Sequence, residues 1–206
     1  MDHDTTDWFD DAHGIHGVEA LAARYPTPHE KVVGKQIDRM DDHSRTLIAA
    51  SPFLVMATAG ASGLDCSPRG GKPGFVQVHD DHTLLLADWP GNNRLDSLRN
   101  IVQNPAVGLV FLLPGMGEVF RVNGRARLSA HPGLLSRLAE GGKQPRSAIV
   151  ITVTEAFIHC PRAIAVADLW NPEKHVDLSA LPSARTVFEA HVALSSVAPS
   201  SRKVRA

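Results

Sequence analysis

Strict alternation of residue types between Val119 and Leu128 constrains the fold of this chain more than any other feature of its sequence. Small or apolar residues at every second position alternate with polar ones: Val122, Gly124, Ala126 and Leu128 against Arg121, Asn123, Arg125 and Arg127. Because successive side chains of a β-strand point to opposite faces, this pattern predicts a strand with one packed face and one arginine-rich face. If the small residues pack inward, Arg121 and Arg125 line an outer groove or a subunit interface; isolated surface arginines are the alternative.

Further short β segments occur between Phe53 and Val153. Ala106–Leu113 is almost wholly apolar and predicts a strand buried on both faces. Phe75–His79 and Thr83–Ala87 flank a polar turn and predict a hairpin. Together the segments predict a mainly β fold with about six antiparallel strands in a meander, one helix inserted between two of them, and closure into a barrel.

The remaining sequence predicts how the chain is organised around this β domain. Residues 1–50 are interpreted as an N-terminal helical extension, of which residues 1–16 are expected to be mobile. The second helix of this extension is predicted to carry Val32, Val33, Ile37 and Met40. Ser51-Pro52 ends the helical region, because proline cannot continue a helix. Residues 51–178 form the β domain. Residues 179–206 are interpreted as a flexible C-terminal tail, because the sequence there ends in small, polar and basic residues.

Composition excludes several classes of protein. The 21 Lys and Arg residues against 22 Asp and Glu give a net charge of −1, which argues against a nucleic-acid-binding protein. Only 2 cysteines occur, in no CxxC pattern, which favours a reducing cytoplasm over a disulfide scaffold or structural zinc. The acidic N-terminus does not resemble a signal peptide, and the apolar runs are too short to span a bilayer. We therefore expect a cytoplasmic protein without a membrane or nucleic-acid partner.

Metal and nucleophile chemistry find little support. His13 and His16 have helical spacing beside acidic residues, but a solvated tail explains them better than a metal site. Gly115 and Gly117 start a glycine fingerprint that is not completed, so they are interpreted as turn residues. No residue is predicted as a catalytic acid, base or nucleophile, and no metal is expected.

Two arginine motifs are candidates for binding a phosphate. SPRGG at 67–71 lies at the end of a short strand, and PGNNR at 90–94 precedes a helix that Asn92 or Asn93 can cap. A helix N-terminus offers unpaired N–H groups and the positive end of the helix dipole. Two arginines can add bidentate hydrogen bonds to a phosphate, which carries roughly −1.5 to −2 charges near neutral pH. The alternative is that Arg69 and Arg94 make surface ion pairs.

Longer stretches in one consistent order resemble the pyridoxamine 5'-phosphate oxidase-like FMN-binding split-barrel family, in particular a bacterial subgroup of uncharacterised members. They are SPFLVMATA (51–59), DCSPRGGKPGFVQV (65–78), DDHTLLLADWPGNNRLDSLRNIVQNPAVGLVFLLPG (80–115), FRVNGRARL (120–128) and FIHCPRAIAVADLW (157–170). The resemblance implies a six-stranded antiparallel split β-barrel with N-terminal helices. It also implies a homodimer with FMN held at the subunit interface.

The resemblance also implies which residues hold the cofactor. The position of the phosphate-binding basic residue corresponds to Arg94, and the strand-end segment corresponds to Ser67, Arg69 and Gly70. The remaining implied cofactor-binding residues are Asn92, Asn93, Arg121, Arg125 and Trp170. The strand with Arg121 and Arg125 often reaches the flavin from the partner subunit, and Trp170 stands where an aromatic residue closes over the ring. The sequence departs from the family at Ala165–Asp168, where an arginine-serine pair is usual, and at Gly71 and Trp89.

The resulting expectation is an FMN-dependent oxidoreductase that acts on a small-molecule substrate or electron donor. One alternative is a non-catalytic flavin- or haem-binding protein for storage, sensing or stress protection, in which His159 or another histidine is the candidate haem ligand. A deazaflavin-dependent reductase is the other alternative. Fold alone does not decide between them.

Overall fold

The computed structural model describes residues 13–195 and divides into two compact units, the first ending at Ala163 and the second beginning at Ile164. In the first unit, 7 strands form one sheet in the order β2-β1-β5-β6-β7-β4-β3, with each neighbouring pair antiparallel. The strands are β1 Phe53–Gly60, β2 Gly63–Gly70, β3 Val76–Asp80, β4 Thr83–Asp88, β5 Ala106–Leu112, β6 Val119–Ser129 and β7 Ser147–His159. The mainly β, antiparallel split-barrel prediction is confirmed.

The described residues also contain seven α-helices. They are α1 Val18–Ala22, α2 Glu30–Gly34, α3 Asp42–Ala50, α4 Asp96–Gln103, α5 Pro132–Arg137, α6 Arg162–Ala167 and α7 Ala184–Leu194. Short 3-10 turns occupy Pro172–Lys174 and Leu178–Ala180. Within residues 13–195, no helix combines the length and the apolar character needed to cross a membrane.

The sheet has one strand more than predicted, and it is not a simple meander. β2 continues past Ser67 to Gly70 and pairs with β1 along its whole length. Pro68 had suggested a strand end, but proline is tolerated on an edge strand, and β2 is an edge strand. β4 pairs with β7, and the chain then returns through α4 to place β5 beside β1.

The alternation in β6 has the predicted orientation. Val122 and Ala126 are buried at 0% and 3% exposure, whereas Arg121 is half-buried and Arg125 is exposed. A register shift in the β6–β7 ladder leaves Thr154 as an extra residue on β7, which is a β-bulge. Facing this bulge, a Cβ atom on Gly124 would lie 2.4 Å from the carbonyl oxygen of Thr152. The close approach of the two strands therefore requires glycine here.

The prediction that β5 is buried on both faces is wrong for the single chain. Leu109 and Phe111 are buried, but Val110 and Leu112, on the opposite face, are only half-buried. The reason is that the main core lies on one side of the sheet, where α3 and α4 add Ile48, Leu98 and Ile101 to the strand residues. A smaller cluster on the other side, around Leu85 and Val150, belongs to β4 and β7 and does not include β5. We call the side facing this core the inner face and the side bearing Val110 the outer face.

The N-terminal prediction needs correction. The helix predicted to reach Met40 ends at Gly34, and Ile37 instead pairs with Ala156 of β7 through two backbone hydrogen bonds of 3.0 and 2.7 Å. The following helix, α3, begins after Asp41, whose carboxylate accepts a hydrogen bond from the backbone N–H of Ser44 at 2.8 Å. This bond and the Ser44 hydroxyl lower the pKa of Asp41. The helical region stops at Ser51, as expected.

The expected flexible tail contains a helix. α7 begins after Ser183, whose hydroxyl accepts a hydrogen bond from the backbone N–H of Thr186 at 3.1 Å. The tail prediction was based on the small polar residues of the C-terminus, and residues 196–206 lie outside the described part of the chain. Residues 1–12 of the N-terminal segment that was expected to be mobile also lie outside it.

Candidate functional site

A hydrogen-bonded network connects β2 to the first turn of α4. Asp65, Ser67 and Arg69 alternate with exposed residues along β2 and share one half-buried face. The Ser67 hydroxyl donates to the two carboxylate oxygens of Asp65 at 3.0 and 2.9 Å. The buried Ser97 hydroxyl donates to Asp65 at 2.5 Å and accepts from Nη2 of Arg69 at 3.1 Å. Sequence reasoning identified Ser67 and Arg69 but missed Asp65 and Ser97.

The Arg69 guanidinium is incompletely satisfied by the protein. Its Nε is buried and has no hydrogen-bond acceptor among residues 13–195. Leaving a buried donor of a charged group without an acceptor is energetically costly. An anionic oxygen placed against this nitrogen would remove that cost, so Arg69 is suited to hold an acidic ligand.

Arg69 forms part of the wall of a cavity of about 760 Å³. Three segments line most of it: residues 68–75 from β2 and the loop after it, residues 86–89 from the end of β4, and residues 138–143 after α5. The Nζ of Lys72 lies 2.9 Å from Oε1 of Glu140, joining two of these segments by an ion pair. We call this the first cavity; its size is typical of small-molecule sites.

Asp88 provides a carboxyl group in the first cavity. Burial raises its pKa, while the positive charges of Arg69 and Arg146 and a hydrogen bond from Ser147 oppose that shift. The Asp88 carboxyl therefore keeps its proton to a higher pH than an ordinary aspartate. Sequence reasoning missed Asp88, although it directly precedes the WPGNNR segment, because an acidic side chain is not expected to bind a phosphate.

The two asparagine side chains of the PGNNR turn both accept hydrogen bonds, one from within the turn and one from Arg146. Oδ1 of Asn92 accepts from the backbone N–H of Arg94 at 3.0 Å, and Oδ1 of Asn93, a residue with φ of 58°, accepts from Arg146 at 3.1 Å. The predicted capping of α4 by Asn92 or Asn93 is therefore wrong. Leu95 occupies the N-cap position and makes no side-chain capping bond, because the two asparagines are used to shape the turn.

The two arginine motifs converge at one end of the sheet. Arg94 is mostly exposed and forms an ion pair with Asp96; that interaction and, more weakly, the charge of Asp65 raise its pKa. Asp65 is bonded to Ser97, which also accepts from Arg69, so the charge of Asp65 links Arg94 to the network around Arg69. Gly70 also lies at this end and lines the first cavity.

The arginines of β6 lie elsewhere in the single chain. The Arg121 guanidinium lies 5.0 Å from the centre of the Phe157 ring, a cation–π contact on the outer face. Arg125 is exposed on the same face, opposite Ala106 in register. Neither lines the first cavity. One chain therefore does not bring Arg121 and Arg125 together with Arg69.

The remaining candidates lie outside this cluster. Trp170 belongs to the second unit, just after α6, and is half-buried there. His159 ends β7, with its ring centre 6.4 Å from that of Phe157, and does not line the first cavity. No group of three or more His, Cys, Asp or Glu side chains is arranged to hold a metal ion in the part of the chain from 13 to 195.

Solved structures that are similar to this chain share little sequence with it. HupZ from Group A Streptococcus is 17% identical, with a TM-score of 0.48, over 58% of this chain and 93% of that one. A Clostridium acetobutylicum protein related to general stress protein 26, of the pyridoxinephosphate oxidase family, is 15% identical, with a TM-score of 0.44, over 57% of this chain and 86% of that one. No curated protein matches the sequence.

The match to a family model is decisive for classification. The model for pyridoxamine 5'-phosphate oxidase matches residues 40–160. This range runs from two residues before α3 to just beyond the end of β7, and it contains the first cavity and the network around Arg69. The chain belongs to the pyridoxamine 5'-phosphate oxidase family.

Proposed function

We propose that this protein binds FMN in the first cavity and uses it as an oxidoreductase on a small-molecule substrate or electron donor. The observation that carries the proposal is the buried Nε of Arg69, which has no acceptor within residues 13–195 and belongs to a residue of the cavity wall. Membership of the pyridoxamine 5'-phosphate oxidase family supports a flavin as the ligand.

The donors around Arg69 fit a phosphate group. The guanidinium of Arg69, the N–H groups of the uncapped α4 N-terminus and the exposed Arg94 supply hydrogen bonds and positive charge. Two carboxylates, those of Asp65 and Asp96, oppose an anion at this end. A third carboxyl group, that of Asp88, opposes an anion less strongly, because burial raises its pKa and so favours its neutral form. The balance favours an acidic ligand held mainly by Arg69.

The walls of the cavity suit a flat ring system attached to that phosphate. Phe75 and Trp89 contribute aromatic surface, and the Lys72–Glu140 ion pair joins loops on two sides. These residues would orient the ligand and limit the access of water. FMN, when bound, supplies hydride and electron transfer, while the protein supplies position and electrostatics. The Asp88 carboxyl is available to hold a proton beside it.

A homodimer formed through the outer face is part of the proposal. β5 has an apolar residue at almost every position, yet its outer residues Val110 and Leu112 stay half-buried in one chain. On β1, Phe53 and Ala57 are exposed on the same face. Exposed apolar patches of this kind mark protein interfaces. A second copy packed here would cover them and would make Arg121 and Arg125 interface residues, where they can reach a partner's cofactor.

The proposed location is the cytoplasm. Cys66 and Cys160 are both free and exposed. Free, exposed thiols fit a reducing compartment better than an oxidising one.

The proposal is tested by titrating the purified protein with FMN and following the quenching of FMN fluorescence. We expect one FMN per chain, and we expect Arg69→Met to weaken binding by roughly 10- to 100-fold, the loss that follows from removing hydrogen bonds to a charged group. Arg99→Met is the matched control, because Arg99 is exposed on α4 and does not line the first cavity. Equal affinities for Arg69→Met and the unmodified protein would refute the assignment of Arg69.

The same sample separates the competing functions. A flavin spectrum that is bleached by a nicotinamide donor under anaerobic conditions supports the oxidoreductase. A flavin that no donor reduces favours a storage or sensor protein, and a Soret band identifies haem. A cofactor whose mass is that of a deazaflavin identifies the deazaflavin-dependent reductase.

A further inference from the structure

A second cavity of about 500 Å³ lies on the outer side of the sheet, between α5 and the β3–β4 hairpin. Its floor is apolar: Leu85 of β4 and Val150 of β7 are buried cross-strand neighbours, and Leu134 of α5 is half-buried above them. It shares no lining residue with the first cavity. α5 lines only this second cavity, whereas the segment after it, residues 138–143, lines the first, so the two are separate sites.

Cationic and imidazole side chains from β3, β6 and α5 converge around this floor. Arg127 comes from β6, opposite Val150 in register, and Arg137 comes from α5. His79 of β3 and His131 at the N-cap of α5 add two imidazoles. The net charge of the whole chain is only −1, so the excess of positive charge here is local.

The two arginines are not neutralised by neighbouring carboxylates. Arg45, Arg94 and Arg185 each form an ion pair with an aspartate or glutamate. Within residues 13–195, no carboxylate lies within ion-pair distance of Arg127 or Arg137.

The carboxylate of Asp80 is also part of the lining, but it is already engaged. It accepts a hydrogen bond from the backbone N–H of His82 at 2.8 Å, and this bond is the main reason why its pKa is lowered. Asp80 therefore keeps its negative charge, which offsets one of the two arginines. The lining has an apolar floor and a rim in which positive charge remains in excess.

We propose that the second cavity binds a small organic anion with an apolar body. The acidic group of such a ligand would lie between Arg127 and Arg137, and its apolar part would cover Leu85, Val150 and Leu134. Arg127 and Arg137 are exposed, so their guanidinium groups are accessible to a ligand. Carboxylate, sulfonate and phosphate groups bind arginine through charge-assisted hydrogen bonds. A cavity of this size accommodates a ligand of one or two rings. The inference is independent of the flavin proposal, because the two cavities do not share residues.

The test uses two probes that differ in one group. Anilinonaphthalene sulfonate has an apolar ring system and an acidic group, and N-phenylnaphthylamine has the same rings without the acid. Calorimetric titration of the full-length protein should give tighter binding of the sulfonate. The variant with both Arg127→Gln and Arg137→Gln should weaken sulfonate binding by about tenfold or more and leave the neutral probe unaffected. Saturating FMN should leave sulfonate binding unchanged, because the first cavity is separate.

The control variant carries Arg99→Gln and Arg162→Gln, which removes the same charge from two exposed positions outside the cavity. It should bind the sulfonate within about twofold of the unmodified protein. The proposal is overturned if the two double variants behave alike, if the neutral probe binds as tightly as the sulfonate, or if FMN displaces the sulfonate. Inorganic phosphate that competes as well as the sulfonate would contradict the role of the apolar floor.

Discussion

The inner and outer faces of the same strands differ in how much of their surface a single chain buries. On the inner face, Leu54 and its neighbours are buried in the core, and at the edge Asp65, Ser67 and Ser97 satisfy one another's hydrogen bonds. On the outer face, Ala57, Cys66 and Leu64 of β1 and β2 are exposed. Along β1 and β2, alternation thus separates a face that stabilises the monomer from a face available for association.

The largest effect should distinguish the two faces by stability. Leu54 is 0% exposed and Leu64 is 89% exposed. Leu54→Ala should lower the free energy of unfolding by about 2–5 kcal/mol, because it leaves a cavity in the core. Leu64→Ala should change it by less than about 0.5 kcal/mol. Urea denaturation followed by circular dichroism measures both values, and similar losses for the two variants would contradict this division between the faces.

The second prediction concerns association through the outer face. Ala57 is exposed and lies between Cys66 and Gly108 in the sheet. Ala57→Glu should place a charge in the proposed dimer interface and raise the dissociation constant of the proposed dimer by about tenfold or more, measured by sedimentation equilibrium. Val102→Glu, on an exposed position of α4, is the control and should leave the dimer intact. A dimer unaffected by Ala57→Glu would remove the outer face as its interface.

The smallest effect concerns Asp88 on the inner side. Since its pKa is raised above 3.8 by burial, the folded chain holds this proton more tightly than the unfolded chain does. The stabilising contribution of the protonated Asp88 carboxyl is complete below the pKa that this group has in the unfolded chain. It is lost as pH rises through the higher pKa that the group has in the folded chain. Asp88→Asn should therefore increase thermal stability relative to the unmodified protein at neutral pH.

A series of melting temperatures from pH 4 to 7.5 tests this sign. The advantage of Asp88→Asn should shrink as pH falls towards the ordinary aspartate value. An advantage that grows on acidification would show that the carboxylate, not the acid, is the stabilising form.

Much of the sheet could be predicted because its strands carry local signals. The alternation of Val122 and Ala126 with arginines gave the correct inner face of β6 from sequence alone. The end of β2 was missed because Pro68 is a strand breaker in a central strand but not at an edge. The second half of β7 was missed because Thr154 and Glu155 interrupt the apolar run at the bulge.

The candidate site could be predicted only in part, since its contacts join distant segments. Arg69 and Arg94 were found because each stands in a recognisable local motif. Asp88 and Arg146 could not be found in this way: their interaction depends on the pairing of β4 with β7, and Asp88 lies opposite Ser147 in that register. The apolar outer side of β5 was visible in the sequence, but the sequence could not indicate that only one side is filled by the same chain.

The two ends of the sheet carry a consequence for its solubility. β2 and β3 each expose a strand edge, which is a template for uncontrolled edge-to-edge growth. β2 carries Pro68, which lacks an N–H, and the charged Asp65 and Arg69, while β3 extends only from Val76 to Asp80. Both edges are therefore poor templates for adding further strands. The face-to-face association proposed above would leave both edges open for a ligand without aggregation through them.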